Sequence, residues 1–245
     1  MKISPFFSLT AIMFLLTLAG CAGPRVFVDD NLKNNATEYV VENRQNAFKS
    51  TLRFGSFEFT NIKRGWTTTA SSKPAIFKTQ NEAKNKMSFK IKHNRLESDI
   101  FCASQAMKKD INFGGIQMSD DSKDVFTGRV QINNATSWDF IVKNPNNLNW
   151  DDPSNGYATN GDKRIEIQDV RKAAGTTPKF MPSTILGYSF VFDKTPIAVV
   201  ETAAGKGGVW IKKGLDPEVE FIVANLAAAL LLRTDLSSDL HWGNQ

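Results

Sequence analysis

Near its C-terminus, in "LDPEVEFIVANLAAALLLRTDL" at residues 215–236, the chain carries a helix-forming stretch that is apolar on every side. Between Phe221 and Leu232 the one strongly polar side chain is Asn225. Asp216 offers an N-cap oxygen and Pro217 stands at the first helical position, where its missing N–H costs nothing. Glu218 and Glu220 suit the positive end of the helix dipole and Arg233 the negative end, while Ala and Leu fill the middle with high helix propensity. A helix that is hydrophobic all round has to be buried all round. Its large side chains Phe221, Ile222, Val223, Leu226, Leu230, Leu231 and Leu232, at roughly 2 kcal/mol each, represent about 14 kcal/mol gross. A domain of ordinary marginal stability cannot leave much of that in water. Residues 217–233 would span ~25 Å at about 1.5 Å per residue, and the acids at the entrance and the short apolar run argue against crossing a bilayer.

The material to surround such a helix lies upstream. Short β-rich runs bounded by polar turns occur at "TEYVVEN", "STLRFGSFEFTNIKRGWTTT", "KMSFKIKHN", "ESDIFCASQA", "VFTGRVQIN", "SWDFIVKN", "KRIEIQDV", "GYSFVFDK", "PIAVVETA" and "GVWIKKG". Phe89 and Ile91 alternate with Lys90 and Lys92, the period of a strand with one wet face, hence antiparallel sheet. Asp193-Lys194 predicts a turn between two of the last strands, and Trp138 and Trp210 are expected in the core. Residues 144–162, "NPNNLNWDDPSNGYATNGD", predict a long loop. With 245 residues, 41% hydrophobic and 22% charged, the chain can bury a sizeable core. About ten strands of seven or eight residues match the helix in length. The expected fold is mainly β with a buried C-terminal helix, an antiparallel barrel around that helix; the alternative is a β-sandwich or open sheet packed against it.

The succession "FDKTPIAVVE", "GVWIKKGLDP" and a wholly apolar terminal helix resembles the Tubby C-terminal-like superfamily, which includes phospholipid scramblases and the LURP-one-related proteins. The resemblance covers residues 186–236 and implies a twelve-stranded barrel wrapped around the helix. No diagnostic motif is matched, so it carries over no functional residue.

The N-terminus reads as an address. "MKISPFFSLTAIMFLLTLAGC" has a positive start at Lys2, an apolar stretch at residues 6–18 too short for a comfortable span, and small residues before Cys21. Leu18-Ala19-Gly20-Cys21 resembles the lipobox of bacterial lipoproteins. That resemblance implies a signal peptide over residues 1–20, a mature domain over residues 21–245, and acylation of Cys21 with palmitate-type chains. Each buried methylene contributes about 0.8 kcal/mol, so two or three chains anchor firmly. Ala22, rather than Asp, implies the outer membrane, with the domain facing the periplasm. Acylation of Cys21 leaves Cys102 without a partner, and its apolar neighbours predict a small buried hydrophobe.

The search for chemistry yields little. His93, in "KIKHN", is expected to face outward, and His241 lies in the tail; neither has zinc-ligand spacing or a G-x-S-x-G companion. Asp120-Asp121 and Asp151-Asp152 sit in polar, turn-like stretches. Asp151, Asn155, Gly156 and Asp162 fall at calcium-loop positions, but Pro153 has no side-chain ligand. The Gly205–Gly208 turn lacks the P-loop spacing. Among Trp66, Trp138, Trp150 and Trp210, Trp150 in the Asn-rich loop is the candidate for a ligand contact. The net charge of +5 is scattered in small clusters, so no nucleic-acid face is expected. Neither a catalytic set, a metal site nor a cofactor is expected. The reading is a non-enzymatic, lipid-anchored envelope protein binding a lipid, glycan or protein partner. The alternatives are a hydrolase of envelope polymers using carboxylates of residues 144–162, and a structural or assembly factor.

Overall fold

The computed structural model describes residues 24–44, 51–64, 83–105, 111–113, 116–118, 125–143, 156–175, 185–203, 205 and 207–233. A short helix α1 (Asp30–Asn35) precedes β1 (Ala36–Val40), β2 (Leu52–Phe54), β3 (Phe57–Arg64), β4 (Ala83–His93) and β5 (Leu96–Gln105). Then follow β6 (Ile111–Phe113), β7 (Ile116–Met118), β8 (Val125–Ile132), β9 (Thr136–Lys143), β10 (Gly156–Thr159) and β11 (Arg164–Val170). The chain ends in β12 (Gly187–Phe192), β13 (Thr195–Glu201), β14 (Gly208–Lys212) and helix α2 (Pro217–Leu232).

Twelve strands form one antiparallel sheet in the order β1-β14-β13-β12-β11-β10-β9-β8-β5-β4-β3-β2, with β6 and β7 pairing apart. Just beyond β1, Glu42 bridges Arg53 of β2 through Glu42 N–H to Arg53 O (2.8 Å) and Arg53 N–H to Glu42 O (3.3 Å). That one bridge joins the two edges, and the sheet is a nearly closed barrel rather than a sandwich or an open sheet. The ring of Tyr39 helps at this seam. It lies 6.5 Å from both Phe54 and Phe57, and it passes so near Gly55 that a Cβ there would sit 2.6 Å from it. Gly55 also has φ +56, a second reason for glycine.

The strands alternate as period two requires. Met87, Phe89 and Ile91 of β4, Ile100 and Cys102 of β5, and Trp138, Phe140 and Val142 of β9 point into the lumen and meet α2 in one continuous core. Every residue of α2 from Phe221 to Leu232 is buried, including Asn225. The lumen is therefore solid. Asp216 caps the helix as expected, accepting from Glu218 N–H (3.0 Å) and Val219 N–H (3.2 Å). At the other end Arg233 is the C-cap residue, its backbone already out of the helix and its guanidinium at the Tyr188 hydroxyl (3.3 Å). Arg64 of β3 adds a second cation there and donates to the Leu232 carbonyl (2.9 Å).

Most strands fall where the alternation puts them, and the Asp193-Lys194 turn is present with both residues at positive φ, as a two-residue hairpin loop demands. Residues 144–162 differ from the long-loop expectation, because β10 lies within them, paired to β9 and β11. Gly-Tyr-Ala-Thr has weak strand propensity, and tertiary pairing overrides it. At Gly156 a Cβ would lie 2.1 Å from the Ile141 carbonyl, so the glycine admits the neighbouring backbone.

A second, smaller core lies outside the barrel wall. Val26, Val28 and Leu32 cover Val199 of β13 and Trp210 of β14, together with Ala173 and Leu186. Trp138 and Trp210 are both buried, as expected, but in different cores. The strap formed by residues 25–28 is pinned by charge as well. Buried Glu201 accepts from Arg25 Nε (2.9 Å) and from Val26 N–H (2.8 Å). Burial alone would lower the Arg25 pKa, but attraction to Glu201 and Glu38 outweighs it and holds the group above its ordinary value.

Candidate functional site

The barrel has two unlike mouths. At the N-terminal end of α2 gather the tight turns that join β2 to β3, β4 to β5, β8 to β9, β10 to β11, β12 to β13, and β14 to α2. At the C-terminal end of α2 the remaining connections depart, and the strap begins there beside Glu201 and Gly187. The first mouth holds a cleft of about 520 Å³, a size that suits a small-molecule ligand.

The cleft is built where α2 starts against the β4–β5 hairpin. Phe57, Leu96, Pro217 and Phe221 supply apolar lining, and His93, Asn94, Arg95, Asp216, Glu218 and Glu220 the polar part. Asn94 takes φ +55 at the hairpin turn, a conformation asparagine tolerates, which turns Arg95 into the cleft rim. His93 corrects the outward expectation. It shares the inward parity of Phe89 and Ile91, is half-buried, and stacks on Phe57 with ring centroids 4.3 Å apart. Asn94 Nδ2 donates to His93 Nε2 (2.8 Å), which leaves the proton of the neutral ring on Nδ1, facing the Ser56 carbonyl at 3.4 Å.

Two of the three carboxylates are engaged. Glu218 accepts from Trp138 Nε1 (2.9 Å) and lies 3.6 Å from Lys163 Nζ, and Asp216 is committed to the helix cap, with Lys163 3.8 Å away. Glu220 is half-buried on the apolar wall, and exposed Arg95 faces the same space. An apolar floor flanked by an acid, a cation and a stacked imidazole is equipped to recognise an amphipathic group. The lining contains no serine, threonine or cysteine to act as a nucleophile.

Cys21, Trp150, Trp66, His241, Asp120-Asp121 and Asp151-Asp152 lie outside the described residues. The calcium-loop reading fails at Gly156, which is a strand residue paired on both sides. Among the described residues no group of His, Cys, Asp and Glu is placed to hold a metal ion. Cys102 is buried in the core as expected, and burial pushes its thiol well above the usual pKa. Sequence reasoning missed the cleft because Phe57, His93–Leu96 and Glu218–Phe221 come from three distant segments. The turn residues "HNR" were its one local signal. Compared with known proteins, the chain matches no protein-family model, no curated protein and no solved structure.

Proposed function

We propose that this chain is a non-enzymatic lipoprotein of the bacterial outer membrane, held by acyl chains on Cys21 and binding a lipid, glycan or protein partner on its periplasmic side. The lipobox-like Leu18-Ala19-Gly20-Cys21 supports the anchor. Residues 25–28 are docked on the barrel wall immediately after the lipobox, so the anchor needs no long linker. Twelve strands around an apolar terminal helix are the arrangement the Tubby-like resemblance implies, and they support that kinship.

The observation that carries the binding reading is the solid lumen. With α2 buried from Phe221 to Leu232, the helix occupies the lumen of the barrel, which supports recognition at its surface. The cleft at the N-terminal end of α2 is the assigned place. A photo-crosslinking amino acid at Arg95 should capture a defined lipid, glycan or protein partner in intact cells, and Glu220→Lys should reduce that capture at least about tenfold, the scale of one lost charge-assisted contact. Capture that is absent, or unchanged by Glu220→Lys, would rule out the cleft as the binding place.

A further inference from the structure

We infer that the barrel stands end-on against an anionic bilayer, with the mouth at the C-terminal end of α2 toward the lipid and the cleft facing away from it. The inference rests on the acylation of Cys21 proposed above and goes beyond it, since an anchor alone does not orient a barrel.

The first argument is reach. Arg25 and Val26 are bonded to Glu201 at the last residue of β13, and Val26 bridges Ala173. This is the mouth where Arg64 meets the Leu232 carbonyl. Three residues lie between Cys21 and Arg25, so the two are at most about 14 Å apart along fully extended chain. The sixteen residues of α2 measure ~24 Å along the axis at about 1.5 Å each. The tether is shorter than the barrel is long, so the cleft mouth cannot be the end that rests on the bilayer. The choice left is between end-on and side-on.

Charge and apolar exposure decide it. At the strap mouth Lys63, Arg64 and Lys172 are exposed, and Arg44 and Arg233 are half-buried beside them. Of the acids there, Glu201 and exposed Glu38 are held by Arg25 and Asp169 by Arg171, and Glu42 is the other exposed acid among the described residues of this mouth. Val40, at the end of β1, is 62% exposed and is the large hydrophobic side chain left in water among the described residues; Phe27, half-buried, lies under Lys172 Nζ at 3.8 Å. Basic side chains with apolar groups between them match an anionic headgroup layer. The cleft mouth instead interleaves Asp162, Asp193, Asp216, Glu218 and Glu220 with its lysines and Arg95, and has no such excess.

The test uses the full acylated chain on vesicles. Ala174→Cys at the strap mouth and Thr195→Cys at the cleft mouth are both exposed and leave the charge unchanged, and buried Cys102 does not take up label. A donor dye on each is read against an acceptor on the lipid headgroups. On vesicles containing phosphatidylglycerol, transfer from position 174 should exceed that from position 195 several-fold. The difference should shrink on phosphatidylcholine alone or in high salt. Equal transfer from the two positions, or more from 195, would overturn the orientation. A difference indifferent to lipid charge would overturn the recognition of an anionic surface. Failure of the anchor reading is seen separately: the mass of the membrane-extracted chain would then show no acyl chains on Cys21.

Discussion

Asn225 is the polar residue that the apolar helix tolerates, and its surroundings explain how. Ser98 Oγ donates to Asn225 Oδ1 (2.8 Å) and Asn225 Nδ2 donates to the Phe221 carbonyl (2.7 Å), both fully inside the core. A buried amide costs free energy unless its groups are paired, and here the pairing ties one helix position to one strand position. Sliding or rotating α2 would break the bond, so Asn225 acts as a registry pin. Ser98→Ala should destabilise the protein by about 1–3 kcal/mol by leaving Oδ1 unpaired, read as a shifted midpoint in urea. A loss within error would mean that the pin has no energetic role. Cys102 makes the complementary point. With its thiol pushed above the ordinary value by burial, the folded state keeps it protonated at a pH where the unfolded chain ionises. Its contribution is therefore intact below about pH 8.5 and declines above it, by up to about 1.4 kcal/mol per pH unit. Native protein at pH 8 should resist thiol reagents and react only as fast as it unfolds, and Cys102→Ala should flatten the alkaline decline. Rapid labelling of native protein would refute the burial argument.

At the scale of elements, α2 is the part whose sequence and surroundings agree most fully. Cap, proline at the first position and uninterrupted apolar surface all specify one buried helix, and thirteen of its residues are buried. Leu230→Asp places an unpaired carboxylate where the side chain is 4% exposed, and it adds the loss of a buried leucine. The cost should exceed about 4 kcal/mol, seen as loss of the cooperative thermal transition or of soluble expression, while Leu230→Met should cost less than about 1.5 kcal/mol. Strands were legible where both faces have a character, as in β4, with Phe89 and Ile91 inside and Lys90 and Lys92 outside. β10 was not legible, because Tyr157, Ala158 and Thr159 become a strand only when β9 and β11 offer hydrogen bonds on both sides. His93 misled for a related reason. Its polar neighbours suggested an outer face, whereas strand parity and the ring of Phe57 bring it in.

For the whole molecule, the division of labour is between a solid barrel and its two mouths. The barrel stabilises; in the function proposed above, the cleft mouth meets a partner and the strap mouth meets the bilayer. Cys21→Ala should release the protein from the membrane fraction into the soluble periplasmic fraction without changing its melting temperature, because the strap begins after that residue. Continued sedimentation with membranes would refute acylation as the means of attachment. By itself the sequence determined that the last helix had to be enclosed, that antiparallel strands were there to enclose it, and that Asp216 would start it, since hydrophobic pattern, capping and propensity are local properties. Only the tertiary structure decided that the strands come round to meet at Glu42 and Arg53, that residues 25–28 fold back over Trp210, and that His93, Arg95 and Glu220 share one cleft. Those outcomes depend on pairings between residues far apart in the chain, which no local pattern encodes.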